Sequence, residues 1–473
     1  MEISGKIFNQ AVNVAISNKT LRNFTANQID NYLHKAFLRS GDNALPGMLE
    51  KRYQYASSLL HGVKNNLDKG YISPEVIKKT LKVFIGDNFK ADATRKINAA
   101  RTRYFRKYGQ YPPSLCVLSP TQSCNLHCTG CYAVSDEKSC HQLSYETVRH
   151  IARDMSEIMG SGFITISGGE PFIYKDGGKT LLDLFEEFND LFFLVYTNGT
   201  LINEEVAVRL AQLGNVTPAI SVEGYEKETD ERRGAGTHKR VLKAMEDLRK
   251  AGVPFGISVT ATQKNVGILL DDHFYDYFFG EQGAVYMWQF QMMPVGRGKE
   301  VTELMITPEQ RVALYRMWEQ LMKRKYCVAD FWNSGALTEG CLAYGRWGGY
   351  FYINWDGKIM PCVFVPFWQD NINDLYAQGK TLADGLHSKL MKNGRKWQHE
   401  YGFKNSDHRE NILMPCSIRD HFDNFRRNIL PDEAIAENPE AEVIRTEEYR
   451  KLLTKFDQEL SGLTREIWEK TYL

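Results

Sequence analysis

Three cysteines fall within one short stretch, Cys124-Asn-Leu-His-Cys128-Thr-Gly-Cys131, with Tyr132 directly after it. Thiolate sulfur is the ligand that holds iron–sulfur clusters. Three thiolates can bind three irons of a 4Fe–4S cluster and leave the fourth iron open to a substrate or cosubstrate. The same sulfurs suit a zinc knuckle if His127 supplies the fourth ligand that structural zinc requires. Three incidental thiols is the remaining reading of the loop by itself.

Further along, Gly168-Gly169-Glu170-Pro171 places two glycines, which let a backbone approach a ligand closely, beside a carboxylate able to pair with an ammonium group. Thr197-Asn198-Gly199, Ser221-Val222-Glu223-Gly224 and Asp230-Glu231-Arg232-Arg233-Gly234 follow in order. The planar fork of Arg233 suits a carboxylate. Each of these stretches is also compatible with a surface turn. A second group of cysteines lies in the last third of the chain. Cys341 and Cys362 flank Asp356-Gly357, which reads as a hairpin turn between two strands and would bring the two thiols together. Cys416 follows in Met414-Pro415-Cys416-Ser417. Cys116 and Cys140 read as structural thiols.

The elements that must position these residues are legible in the hydrophobic pattern. From Leu115 onward short apolar runs alternate with amphipathic helices, which is the signature of βα units and a parallel sheet. The runs Leu115–Leu118, Phe163–Ser167, Phe192–Thr197, Ala219–Val222, Phe255–Ala261 and Val285–Met293 make six strands. Val148, Ile151, Met155, Ile158 and Met159 mark one helical face, and Asn203–Leu213 and His238–Ala251 read as two further helices. In parallel βα folds ligands bind at the carboxyl ends of the strands, where the first cysteine loop and the glycine motif both fall. Residues 1–110 read as helical, with Ser73-Pro74-Glu75 as a start signal.

This ordered set of motifs resembles the radical SAM superfamily over residues 112–300. The resemblance implies a partial (β/α)6 TIM-like barrel of the α/β class. It implies a 4Fe–4S cluster on Cys124, Cys128 and Cys131, and S-adenosylmethionine on its open iron. Gly168, Gly169, Glu170 and Pro171 would meet the cosubstrate's amino group. Thr197 and Asn198 would belong to the region that contacts the cosubstrate's ribose and carboxylate, with Ser221 and Glu223 on the ribose side, Arg233 at the carboxylate and Tyr132 near adenine. Many relatives have Asp in place of Glu223 and an aromatic in place of Gly130. The region of Cys341, Cys362 and Cys416 is similar to the SPASM/Twitch auxiliary-cluster type, and its sparse cysteines bring it closer to the Twitch form. A three-cysteine cluster of that type would leave one iron for a substrate or for a fourth ligand such as Asp420, His421 or Cys327; the alternative is a vestigial domain with free thiols. The activity implied is reductive cleavage of S-adenosylmethionine to a 5′-deoxyadenosyl radical that abstracts hydrogen from an unactivated C–H bond. That makes the protein an oxidoreductase or maturase-type enzyme, with a peptide or protein as substrate. The alternatives are modification of a lipid or other anionic small molecule, and an iron–sulfur electron-transfer protein, which would have no use for the glycine motif or Arg233.

Composition sets bounds on these readings. Hydrophobic residues make up 43% and charged residues 25%, ordinary values for a globular chain. No export signal or bilayer-length apolar run is visible, so the expected compartment is the reducing cytoplasm, where nine cysteines serve as ligands or free thiols. The expected division is a basic helical extension (1–111), a core (112–300), an auxiliary-cluster region (301–435) and a C-terminal helix (436–473). Residues 1–113 hold 19 Lys and Arg against 8 Asp and Glu. That imbalance suits an anionic partner, either an acidic peptide or a peripheral membrane contact. No nucleic-acid partner is expected, and an external one-electron reductant such as flavodoxin or ferredoxin is. Because every cleavage motif lies beyond residue 123, the extension is expected to be dispensable for cleavage.

Overall fold

The computed structural model describes residue 14 and residues 16–39, 44–86, 91–405 and 408–473. The first thirteen residues of the expected helical segment lie outside that set. The described part of the segment is helical: α1 (Lys19–Leu38), α2 (Pro46–Lys69), α3 (Pro74–Leu81) and α4 (Ala91–Tyr108). Ser73 caps α3 as its sequence suggests, its hydroxyl accepting from the backbone N–H groups of Glu75 and Val76.

The parallel strands are β1 (Leu115–Leu118), β2 (Phe163–Ile166), β3 (Phe192–Thr197), β4 (Val216–Ser221), β5 (Gly256–Ala261), β6 (Met287–Gln291) and β7 (Val328–Asp330). They pair in sequence order, each parallel to the next. Between them run α5 (Tyr145–Glu157), α6 (Leu181–Glu187), α7 (Glu204–Leu213), α8 (Glu226–Arg233), α9 (Thr237–Ala251) and, before β7, α10 (Pro308–Lys323). This is the partial barrel expected from the sequence, enlarged by one strand. β7 is only three residues, Val-Ala-Asp, too short to produce a periodic signal.

The expected hairpin forms from β8 (Tyr350–Ile353) and β9 (Lys358–Met360), with Gly357 at φ +82° in the turn. It does not stand apart from the core. β8 runs parallel to β1 in the register Leu115↔Tyr350 to Leu118↔Ile353, so main-chain hydrogen bonds cross the expected boundary at residue 300. β10 (Asp370–Asn371) closes that edge, giving one ten-stranded sheet in the order β10-β9-β8-β1-β2-β3-β4-β5-β6-β7. Two long elements complete the chain, α11 (Lys389–Glu400) and α12 (Glu447–Thr471).

The N-terminal helices are not a detached extension. Ile16, Ile72 and Ile77 share a buried apolar cluster with Leu194, Ala219, Val285, Tyr286 and Cys327 of the barrel, and Tyr55, Leu59, Val63 and Leu67 pack on it. A Cβ on Gly62 would stand 2.9 Å from the carbonyl of Val285, so α2 lies directly against the barrel backbone. The basic surplus is partly answered by this docking. Lys51 pairs with Glu319 at 2.6 Å, Arg52 with Glu339 at 2.8 Å and Lys107 with Asp384 at 2.9 Å. Among the described residues no helix is long and apolar enough to cross a membrane.

Candidate functional site

The first cysteine loop is held by backbone and side-chain bonds made at the strand ends. Cys124 N–H donates to the Asp136 carbonyl at 3.0 Å, and the Asp136 carboxylate caps the N–H groups of Lys138 and Ser139. The glycine motif is stitched to the same stretch: Gly169 N–H donates to Thr121 O at 3.0 Å and Glu170 N–H to Ser123 O at 2.9 Å. A Cβ on Gly169 would fall 2.1 Å from Ser123 O and 2.4 Å from Gln122 O, both backbone atoms. Gly168 has φ +120°, a conformation that favours glycine. These glycines are therefore required by close backbone approach to the residues that lead into Cys124.

Cys124, Cys128 and Cys131 open onto one cavity of about 290 Å³ at the carboxyl end of the sheet. Tyr132, Gly168, Gly169, Thr197, Asn198, Ser221 and Arg233 line it with them, as the sequence suggests. The Ser221 and Ser258 hydroxyls lie 3.2 Å apart on its wall. Tyr132 shares a 2.8 Å hydrogen bond with Ser167 and packs edge-on against Phe364.

Glu170, Pro171 and Glu223 are placed otherwise and do not line the cavity. Glu170 is fully buried and accepts from Thr197 Oγ1 at 2.8 Å, Asn198 N–H at 2.8 Å and Phe172 N–H at 3.1 Å. Burial raises its pKa to about 7 against the pull of those donors. It braces the Thr197-Asn198 turn, whose Asn198 Nδ2 lies 3.9 Å from Cys124 Sγ. Glu170→Ala would leave three buried donors without an acceptor, at about 1–3 kcal/mol each. The expected result is a large drop in the denaturation midpoint together with weaker S-adenosylmethionine binding, read by urea titration and equilibrium dialysis.

Glu223 is buried beneath both arginines. Its Oε1 accepts from Arg232 Nη1 at 2.5 Å and from Arg233 Nε and Nη2 at 2.9 and 2.5 Å. The carboxylate thus orients Arg233 at the cavity wall. Arg232 also donates from Nε to the Thr129 carbonyl at 3.2 Å, fastening the cysteine loop from one side. Arg297 fastens it from the other, donating to the carbonyls of Cys128 at 3.3 Å and Ser135 at 2.8 Å. Arg297 was not apparent from the sequence. Its only signal there is the Gly296-Arg297-Gly298 turn just past a strand, and a Cβ on Gly296 would meet Tyr132 O at 2.3 Å.

The donor set bears on the metal readings. His127 points to solvent with 68% of its side chain exposed, and its Nδ1 lies 3.8 Å from Asp136. A four-ligand zinc site therefore lacks its fourth donor. Among the described residues no three Cys, His, Asp or Glu side chains are grouped closely enough to share a single ion. Thiols spread over one cavity wall fit a cubane, in which each sulfur binds a different iron. The Ser135 hydroxyl, buried at this cavity with no partner, is a further polar group left for a ligand. Burial pushes the Cys124 thiol up to about 12, so ligation has to expel its proton.

The second cysteine set also converges. Cys341, Cys362 and Cys416 line a cavity of about 410 Å³ together with Trp332, Ser334 and Tyr55. The Tyr350 hydroxyl and Cys362 Sγ share a 2.9 Å hydrogen bond, and Phe364 N–H donates to the same sulfur at 3.4 Å. The Trp332 indole N–H and the Ser334 hydroxyl are buried at this cavity without partners among the described residues. Two orphaned donors facing three thiols fit a group rich in acceptor sulfur. The suggested fourth ligands are committed elsewhere. Asp420 binds Arg311 through both oxygens. His421 Nε2 bonds the Met414 carbonyl at 2.8 Å. Cys327 sits in the cluster beneath the barrel, and Cys116 is wholly buried on β1. Cys140 is exposed.

In a separate cleft lined also by Met414, Asp420 and His421, Asp457 accepts from Phe422 N–H at 2.8 Å through one oxygen while the other has no partner among the described residues. Burial raises its pKa to about 8 from 3.8. The folded chain then holds a proton that the unfolded chain has lost, so stability falls as pH rises through that window. Asp457→Asn keeps an acceptor for Phe422 and removes the titration. It should melt close to wild type at pH of about 4 and above it at pH of about 9, by the equivalent of about a few kcal/mol. Scanning calorimetry across that range reads the difference.

A parallel strand order with a three-cysteine loop at its carboxyl end defines an iron–sulfur enzyme of the barrel type. The sequence model of the Radical SAM superfamily matches residues 118–263. Mycofactocin maturase MftC of Mycobacterium ulcerans is 31% identical over 296 residues, covering 61% of this chain and 76% of that protein. AdoMet-dependent heme synthase of Methanosarcina barkeri is 27% identical over 290 residues, covering 55% and 80%. The crystal structure of Streptococcus suis SuiB bound to precursor peptide SuiA shares the fold, at TM-score 0.50 and 19% identity over 63% of this chain and 70% of that one. The chain belongs to the radical SAM superfamily, with a C-terminal region of the SPASM/Twitch type. It is an enzyme, and its cofactors are a 4Fe–4S cluster and S-adenosylmethionine.

Proposed function

We propose that this enzyme modifies a polypeptide side chain held between two cysteine-lined cavities. One observation carries the reading: the cavity of Cys124, Cys128 and Cys131 and that of Cys341, Cys362 and Cys416 adjoin, with Trp288, Phe331, Leu342 and Tyr350 lining both. On this reading Cys124, Cys128 and Cys131 hold the principal cluster, and Gly168, Gly169, Thr197, Asn198, Ser221 and Arg233 hold S-adenosylmethionine. Cys341, Cys362 and Cys416 hold an auxiliary cluster. The bound group supplies one-electron cleavage of the cosubstrate's sulfonium, giving methionine and a 5′-deoxyadenosyl radical. The chain's residues do the rest. Arg233, aimed by Glu223, positions a carboxylate, and Glu170 keeps the Asn198 turn against Cys124. The aromatic walls exclude water from the reacting centre. The maturase name of one relative supports a polypeptide substrate, and an external one-electron reductant completes the reaction.

A second reading is an anionic small molecule, favoured by the heme synthase among the relatives and by the two arginines at the cavity. One pair of measurements tests both. Reconstituted protein should hold about eight irons and the Cys341/Cys362/Cys416 triple Ala variant about four, if both sites are 4Fe–4S. Peptides encoded beside the gene should gain a mass change only with wild type. A wild-type protein that never exceeds about four irons removes the auxiliary-cluster reading. Turnover of a tetrapyrrole carboxylate and of no peptide would select the second.

A further inference from the structure

Arg419 lies three residues beyond Cys416 and is fully buried. Its guanidinium is sandwiched between the rings of Trp332 and Phe456, 5.3 and 4.8 Å from their centroids. Nη1 donates to the Met292 carbonyl at 3.0 Å and lies 3.7 Å from Met293 Sδ. Nε and Nη2 have no partner among the described residues. Among the described residues no carboxylate pairs with it. The adjacent Asp420 is bound on both oxygens by Arg311, a buried cation that is thereby compensated. Two further acids lie nearby: Asp457 is kept protonated at neutral pH by its burial, and Asp330, on the wall of the auxiliary cavity, is held by donors from Gln289, Trp332 and Asn333 and not by Arg419. A guanidinium stays charged throughout the working pH range. An unpaired buried charge is strongly unfavourable unless an anion arrives to meet it.

The surroundings indicate where that anion forms. Trp332, stacked on Arg419, lines the same cavity as Cys341, Cys362 and Cys416. Ligation strips the thiol protons, and three thiolates on a 4Fe–4S core in its 2+ state leave a net negative charge. Resting on the auxiliary-cluster reading above, we propose that Arg419 is the buried counter-charge of that cluster and holds its reduction potential up. Reduction adds one electron, and therefore one negative charge, beside a fixed cation in a low-dielectric interior, which favours the reduced form. Arg419 is a positioning residue by this account, acting through charge and not by touching substrate.

The test is an anaerobic redox titration of the holoenzyme with dithionite, followed by electron paramagnetic resonance, on wild type, Arg419→Lys and Arg419→Met. The signal that does not respond to added S-adenosylmethionine reports the auxiliary cluster. In Arg419→Met its midpoint should move negative by ~59 mV or more, a tenfold change for one electron. Arg419→Lys should stay near wild type. The metal-free Arg419→Met protein should melt no lower than metal-free wild type, because the unpaired charge is gone. Should Arg419→Met fail to load the auxiliary cluster while Arg419→Lys loads it, the charge requirement stands. Equal midpoints in all three proteins, an equal shift in both variants, or loss of loading in both overturns the inference. Wild type with only about four irons overturns the auxiliary-cluster reading and this inference together. Wild type with about eight irons and an unmoved midpoint in Arg419→Met overturns this inference alone.

Discussion

With Cys124, Cys128 and Cys131 replaced by Ala, deoxyadenosine release from anaerobically reduced protein is expected to fall to the level of a protein-free control. The three sulfurs share one cavity wall with the residues that would hold the cosubstrate, and His127, the other donor in the loop, faces solvent. With the thiolates gone, iron has no ligand at this wall. Iron content should drop by about four per chain, while the set at Cys341, Cys362 and Cys416 keeps its own if that site is also 4Fe–4S. Gly169→Ala provides an independent check that leaves every sulfur in place. Its added methyl would collide with the carbonyls of Ser123 and Gln122. Neither carbonyl is the end of a flexible side chain, so the strand-end turn and the cysteine loop must separate. The expected outcome is cluster loading well below wild type in a protein whose far-ultraviolet circular dichroism is unchanged. Cleavage at the wild-type rate by the triple variant would remove the principal-cluster assignment.

What the sequence disclosed divides along the range of the interaction concerned. Cys124, Cys128 and Cys131 are close in the chain, and their spacing alone announces their chemistry. The strands from Leu115 to Gln291 show themselves as apolar runs because both faces of a parallel sheet are buried. The Asp356-Gly357 turn is equally local, and its hairpin forms as expected. The attachment of that hairpin to β1 is not local. Tyr350 pairs with Leu115, 235 positions earlier in the chain, and nothing in either strand names the other. The direction of Glu170 is hidden for a similar reason. Its carboxylate could face the cavity or turn back, and the donors that turn it back belong to residues 197 and 198. Glu223 is drawn away from the ribose side by two arginines on the helix that follows it. An orphaned charge such as Arg419 has no sequence signature, since lacking a partner is a property of the packed molecule.

Removing residues 1–111 is expected to abolish cleavage and to leave a poorly folded chain, the reverse of what the motif positions suggest. The basic helices supply the apolar layer beneath the barrel. Without them Leu194, Val285 and Tyr286, each under 10% exposed, would face water. At about 1.5–3 kcal/mol for each large apolar side chain, losing this contact takes a major share of a domain's ~5–15 kcal/mol of stability. The effect reaches the site as well. Phe163, Tyr196 and Trp288 pack on this same cluster and line the principal cavity, while Tyr55 of α2 lines the auxiliary one. The barrel floor is thus also the floor of both cavities. Residues 112–473 should elute as aggregate, lack a cooperative melt and release no deoxyadenosine after reconstitution. A smaller lesion separates this from nonspecific truncation damage. Gly62→Val, which would drive a side chain into the Val285 carbonyl, should lower the melting temperature and cluster loading while leaving every cysteine and every basic residue in place. If instead the truncated chain is monomeric, melts cooperatively and cleaves at the wild-type rate, the helices are a separable module and their charge is free to serve an anionic partner.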